Sequence, residues 1–349
     1  MWYESLIKRG LVPEFILRLI FRLHFIIRTR REPKDVEQKQ VYLNQFIEDL
    51  KKQPVALETQ KANEQHYELP TSFFKKILGN NLKYSCCLWD RENKKKDLYK
   101  DLDHAEEDML KLTCERANIK EGIKVLELGC GWGSLTLYMA QNYNIDKIVS
   151  LTNSETQKKY IESELKRLKL SNVKIIRQNV KYLEIYEKFD RIISIEMFEH
   201  LRNYEKFLEI LHTITKPNGK LFIHIFTDKE HPYFFNMDEK NNWMTKYFFA
   251  GGIMPSYDLL LYFNNHFKID KLWKVNGKHY QKTLEAWLQK MKKNKKEIKE
   301  IIKQTYGDEN AKKWWNYWKI FFISCAEIFG FRDGNKRYVT HYLFSPVKR

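Results

Sequence analysis

Between residues 120 and 226 the apolar positions gather into short runs, each separated from the next by a longer stretch whose apolar residues return every three or four positions. The run holding Val125, Leu126 and Leu128, and those at 147–152, 173–177, 189–195 and 220–226, have the length and composition of buried strands. Stretches 134–140, 154–168 and 204–214 read as helices, the last stopped by Pro217, Asn218 and Gly219. Strands alternating with helices predict an α/β fold with a doubly wound, mostly parallel sheet. Ligands of such sheets bind at the carboxyl ends of the strands, so chemistry is expected there.

The flanks have a different rhythm. Residues 1–62 form a helical N-terminal segment: an amphipathic helix over 14–30 started by Pro13, then a polar helix within 35–60 and a linker about Pro54. Residues 63–349 form the main domain, entered through a stretch with His66, an amphipathic piece at 71–78 and a helix at 102–117. Beyond about residue 230 aromatic residues accumulate (Trp243, Trp273, Trp287, Trp314, Trp318), with a Lys-rich helix near 288–304 and a strand at 337–344. This part, to about residue 330, reads as a cap over the site, followed by the last strands of the sheet.

In the 14–30 helix, Arg18, Arg22, His24 and Arg28 project to one side of a broad Ile, Leu and Phe face. Its longest apolar run is three residues, against the roughly 20 of a membrane span. Two readings stand: docking on the body, or a peripheral membrane contact through residues 1–31 with Arg over anionic headgroups. A net charge of +17 in 349 residues makes an anionic partner worth considering, but no nucleic-acid module is present. Five cysteines without a C-x-x-C pattern point to neither a disulfide framework nor a metal site, and to a reducing, cytoplasmic setting. The composition says nothing of oligomeric state.

The first strand runs into glycines at 129, 131 and 133, with a helix at once behind them. Such a turn lets backbone approach a ligand, and the helix start offers unpaired N–H groups. The spacing is neither the phosphate-binding nor the dinucleotide pattern. Glu127 at the strand's end favours a cofactor with a cationic amino-acid tail. At the end of the fourth strand, Glu196, Glu199 and His200 lie within five residues and can converge on one pocket for proton removal. His224, on the fifth strand, is a second candidate, set against an ordinary hydrogen-bonded core histidine. The aromatic set at 315–322 is core packing by default, although an aromatic wall also suits an ammonium ion.

The glycine loop, I-E-M-F-E-H at 195–200, Y-F-F-A-G-G-I-M-P-S at 247–256, V-N-G-K-H-Y-Q-K-T at 275–283 and F-F-I-S-C-A-E-I-F-G at 321–330 together resemble the cyclopropane-fatty-acid synthase family of S-adenosylmethionine-dependent enzymes. Within it they are most similar to the coclaurine N-methyltransferase group. The resemblance implies a Rossmann-like class I methyltransferase core. It implies that Glu127, Gly129 and Gly131 hold the methionine end of S-adenosylmethionine, with Tyr84 and Ser85 closing over it. Thr152, Asn153 and Gln157 would contact the ribose side, and Asn179 the adenine. The N-methyltransferase branch uses residues matching Glu196, Glu199 and His200 to position and deprotonate a small-molecule amine. The cyclopropane branch acts on unsaturated acyl chains of membrane phospholipids, with a bicarbonate as base. Positions matching Cys86, Glu199, His224, Tyr280 and the Phe226 backbone would hold it.

Overall fold

The computed structural model describes residues 4–57, 69–89, 97–235, 243–249 and 251–348. His66 and the expected boundary at residues 62 and 63 lie outside the described residues. Helices α1 (Glu4–Arg9), α2 (Glu14–Arg31), α3 (Val36–Lys52), α4 (Thr71–Ile77) and α5 (Leu102–Arg116) precede the sheet. Then follow β1 (Lys124–Leu128), α6 (Ser134–Asn142), β2 (Lys147–Thr152), α7 (Glu155–Leu168), β3 (Val173–Arg177), β4 (Phe189–Ile195), α8 (Tyr204–Thr213) and β5 (Thr215–Asp228). Next come β6 (Tyr233–Phe234), α9 (Trp243–Tyr247) and β7 (Ile253–Met254). The chain continues through β8 (Phe267–Val275), α10 (Gly277–Lys293), α11 (Lys295–Tyr306), α12 (Asp308–Gly330) and β9 (Arg337–Pro346).

Among the described residues the main sheet has seven strands in the order β3-β2-β1-β4-β5-β9-β8. The first five run parallel, and β9 lies antiparallel between β5 and β8. Strand order reverses between β1 and β4, which opens a crevice beyond their carboxyl ends. Local chemistry sets several boundaries. Ser154 caps α7 by accepting from the Gln157 N–H at 3.3 Å, so the helix starts one residue after the expected start. Val125, Leu126, Leu128, Ile192 and Ile193 are fully buried, as strands of a sheet covered on both faces must be.

Two expected boundaries move further. Strand β5 begins at Thr215 rather than Lys220: it carries Pro217 and Gly219 through a register irregularity against β4 instead of stopping there. The Lys-rich helix is two helices, broken at Asn294, whose Nδ2 donates to the Lys76 carbonyl at 2.7 Å.

Helix α2 is docked, and by its basic side. Arg18 Nη1 reaches Glu285 on α10 at 2.5 Å and Glu327 on α12 at 2.9 Å, and Arg22 Nε reaches Glu327 at 2.5 Å. The Arg28 guanidinium lies 3.7 Å over the Tyr233 ring, Leu17 and Phe25 are buried, and Glu32 just past the helix pairs with Lys336 at 2.6 Å. Facing out instead are Leu11, Phe15, Leu19, Leu23, Ile26 and Ile27, with Phe15 71% and Leu19 55% exposed. Apart from Leu17 and Phe25, most of the broad apolar face therefore lies outside the docking contact. No helix among the described residues is long and apolar enough to cross a membrane.

Candidate active site

Two cavities open at the carboxyl ends of β1, β2, β4 and β5. The first, about 1200 Å³, is lined by Tyr84, Ser85, Glu127, Gly129, Gly131, Trp132, Thr152, Asn153, Gln157 and Asn179 among others. All nine residues expected to hold the cofactor are in that lining. The second, about 810 Å³, is lined by Glu199, Tyr280 and a wall of Phe226, Phe249, Trp287, Phe321 and Phe329. Tyr84, Glu196 and His200 line both, so the cavities meet at these three side chains.

The first cavity fits a ligand with a cationic end. Gly129 and Gly131 hold φ +75° and +53°, and a Cβ at Gly131 would meet nothing within 4 Å, so backbone is bared to the cavity there. Glu127 is buried; Thr136 Oγ1 and Ser150 Oγ (3.2 Å) both donate to its Oε2, which leaves Oε1 for a ligand. Burial pushes the Glu127 carboxyl up to about 7 against those two hydrogen bonds, and an ammonium beside it would restore its charge. At the other end Thr152 Oγ1 donates to Gln157 Oε1 at 2.6 Å, and Gln157 Nε2 is buried with no partner. That orphaned donor suits a hydroxyl-bearing ligand. Asn179 Oδ1 accepts from the Lys181 N–H at 3.0 Å and so caps a short turn at the cavity edge.

At the junction, Ile195 ends β4 and Glu196 turns into the left-handed region at φ +47°, its N–H donating to the His224 carbonyl on β5 at 2.8 Å. This turn aims the carboxylate into a ring of donors. The Cys86 N–H gives to Glu196 Oε1 at 2.9 Å, His224 Nε2 lies 3.2 Å from the same oxygen, and Tyr280 donates its hydroxyl to Oε2. Burial pushes the Glu196 carboxyl up, and the charge of Lys83, the Cys86 N–H and the Tyr280 hydroxyl pull it back. Burial, and then the charge of Glu196, push the Glu199 carboxyl well above its ordinary range, which favours its neutral form, and its Oε2 is unpartnered. Burial drives His200 down to about 4, leaving a neutral imidazole stacked on Phe249 at 5.0 Å with Nδ1 unpartnered.

Glu196, Glu199 and His200 thus converge as expected. His224 and Cys86 line neither cavity: both stand behind Glu196 as supports. Lys83 escaped the sequence reading. It is buried, and its Nζ donates to Ser85 Oγ and, at 2.8 Å, to the Cys86 carbonyl. It therefore sets the backbone that carries Tyr84 and the Cys86 N–H. The sequence signal was only a Lys beside Tyr84 and Ser85. Thr283 ties the same segment to α10, accepting from the Cys87 N–H at 3.1 Å. Phe321 lines the second cavity, while Trp318 beside it is fully buried core, as the aromatic set reads by default. Among the described residues no cluster of His, Cys, Asp and Glu could hold a metal.

Comparison with known proteins agrees with this geometry. Residues 56–338 match the family model of mycolic acid cyclopropane synthetase. The (S)-coclaurine N-methyltransferase of Thalictrum flavum subsp. glaucum is 34% identical, over 97% of this chain and 93% of its own. The cyclopropane-fatty-acyl-phospholipid synthase of Escherichia coli strain K12 is 30% identical, over 77% of this chain and 64% of its own. A crystal structure of coclaurine N-methyltransferase bound to N-methylheliamine and SAH superposes with a TM-score of 0.92 at 34% identity, over 98% of both chains.

Proposed function

The chain belongs to the mycolic acid cyclopropane synthetase family, and from that membership we propose that it methylates the nitrogen of a small, apolar-bodied amine. It is a methyltransferase dependent on S-adenosylmethionine, with relatives that methylate nitrogen. The reading is carried by the seam: a carboxylate and a neutral imidazole stand where a polar cavity meets an aromatic one.

When bound, S-adenosylmethionine supplies a methyl group made electrophilic by its sulfonium. Glu127 and the loop at Gly129 and Gly131 would take the amino-acid end, Tyr84 and Ser85 would cover it, and Thr152, Asn153 and Gln157 would face the ribose, with Asn179 by the adenine. The aromatic wall draws in a cationic amine through its ring faces and excludes water. Near pH 7 such an amine arrives protonated and cannot attack. The Glu196 carboxylate accepts its proton, and the N–H bond's electron pair stays on nitrogen as the nucleophilic lone pair. The neutral His200 accepts a hydrogen bond that orients the nitrogen, and Glu199, in the neutral form that burial favours, can donate one. The remaining work is alignment.

The relatives' names include coclaurine, pavine and tetrahydroprotoberberine N-methyltransferases. With the aromatic wall they support a secondary or tertiary amine on a ring system. The test is mass spectrometry after incubation with methyl-deuterated cofactor and two pools, cyclic amines and unsaturated phospholipids. An intact labelled methyl on an amine is expected. A labelled methylene in acyl chains, with one label lost, would overturn the reading in favour of the cyclopropane branch.

The outward stripe of α2 supports a peripheral contact with an anionic membrane. It presents Phe15, Leu19, Leu23, Ile26 and Ile27, with Arg22 58% exposed and Arg30 and Arg31 exposed alongside. Vesicles of phosphatidylglycerol and phosphatidylcholine should sediment the protein, and Leu19→Glu with Leu23→Glu should release it. Sedimentation unchanged by that pair, or a wild-type dimer that the pair dissociates in the absence of vesicles, would overturn the assignment.

A further inference from the structure

We propose that Glu196 supplies from the chain itself the anion that the resemblance assigns to a bicarbonate, so that this protein works without one. Three of the residues expected around a bicarbonate converge on the Glu196 carboxylate: Cys86 through its N–H, His224 through Nε2 and Tyr280 through its hydroxyl. A carboxylate and a bicarbonate present the same planar pair of oxygens, so one set of donors serves either and cannot serve both at once. The position is therefore filled by a covalently attached occupant. Glu199, the fourth expected side chain, lies close enough for the Glu196 charge to add to the upward push that burial gives its carboxyl. A bicarbonate does not fit while Glu196 keeps this rotamer.

The backbone shows how the fit is achieved. Glu196 holds φ +47°, pinned by its N–H to the His224 carbonyl. A glutamate there carries strain that a glycine would not. Replacing it by glycine thus removes the carboxylate, relieves the backbone and leaves the three donors around an empty, anion-sized space. The proton balance survives the exchange: a bicarbonate in that space takes the amine proton and becomes carbonic acid, as the carboxylate becomes the carboxylic acid.

Two probes test this on the full chain, sodium [13C]bicarbonate and formate. Wild-type turnover should be the same in nitrogen-flushed, bicarbonate-free buffer and in bicarbonate. Glu196→Gly should lose about a hundredfold or more in turnover, the scale of a positioned proton acceptor, and regain at least about tenfold saturably with either anion. Glu196→Gln, which fills the same space without charge, should not be rescued. Carbon NMR should show [13C]bicarbonate bound to Glu196→Gly, weakened by adding Tyr280→Phe, and not to wild type. Wild-type turnover that falls on bicarbonate removal, or a folded Glu196→Gly that binds neither anion, would overturn the proposal. Should Glu196→Gly not fold, wild-type independence and the unrescued Glu196→Gln still decide it. The activity readout rests on the amine reading above and the NMR readout does not: anion binding in a protein that methylates no amine would sink that reading alone.

Discussion

The two cavities are built in opposite ways. The lining of the first comes largely from the ends of β1, β2 and β4 and the turns that follow them, with charged and amide groups placed by local backbone. The second is walled by aromatic rings from β5, α10 and α12, brought together across more than a hundred residues of chain. A polar site written into contiguous loops can be shared by many enzymes that use one cofactor. An apolar site assembled from elements far apart in the chain can change its acceptor without disturbing the cofactor. By this division, a substitution in one cavity should move one parameter and spare the other.

The strongest challenge is at the seam. His200→Ala should lower turnover by about 10²–10⁴-fold, the range of a group that handles or orients a transferring proton, with the calorimetric cofactor Kd unmoved. Loss of cofactor binding instead would make His200 a structural element of the first cavity and erase the division. Within the first cavity, Glu127→Gln would remove the charge-assisted contact proposed for it, worth about 1.5–3 kcal/mol. Cofactor Kd should rise by about 10–150-fold while the amine KM stays put, by calorimetry and steady-state kinetics respectively. In the second cavity, Trp287→Leu should raise the amine KM by roughly 2–30-fold, the span of about 0.5–2 kcal/mol for a cation on a ring face. The cofactor Kd should again be unchanged.

The smallest effect is in pH. With Glu127 at about 7 in the empty protein, above its ordinary range, the stability it contributes is present at low pH and is lost as pH rises through 7. The ionised carboxylate that meets an ammonium is then scarcer at pH 6 than at pH 7, so cofactor Kd should weaken by about fivefold over that unit. The cofactor-induced rise in Tm should grow from pH 6 to 7 for the same reason, and Glu127→Gln should flatten this limb. A flat limb in wild type would mean that Glu127 does not meet the cofactor's cationic end.

Legibility followed the same division. Strands β2, β3 and β4 match the expected runs residue for residue: β2 and β4, buried on both faces, leave short, dense apolar runs with clear ends, and the edge strand β3, with Lys174 and Arg177 exposed, keeps only a shorter apolar pair, Ile175 and Ile176. Glu127 and the glycines stand within seven residues, so their convergence is a local matter. Strand β8 went unnamed because it is half-solvated: Lys268, Ile269, Asp270 and Lys271 are exposed, and the apolar run that marks an inner strand is missing. The meeting of Glu196 with Cys86 and Tyr280 spans 110 and 84 residues, and no spacing rule reports such a contact. The orientation of α2 was equally hidden. Its moment locates an apolar face but not the carboxylates of Glu285 and Glu327, 267 and 309 residues from Arg18, that turn that face outward.

The left-handed turn at Glu196 has a bearing on descent. Purine-ending codons for glutamate and glycine differ only at the middle base, and glycine is the residue this backbone receives without strain. A lineage could therefore pass between an enzyme that carries its anion and one that borrows it from solution through a single nucleotide change, with Cys86, His224 and Tyr280 already in place on both sides of the step.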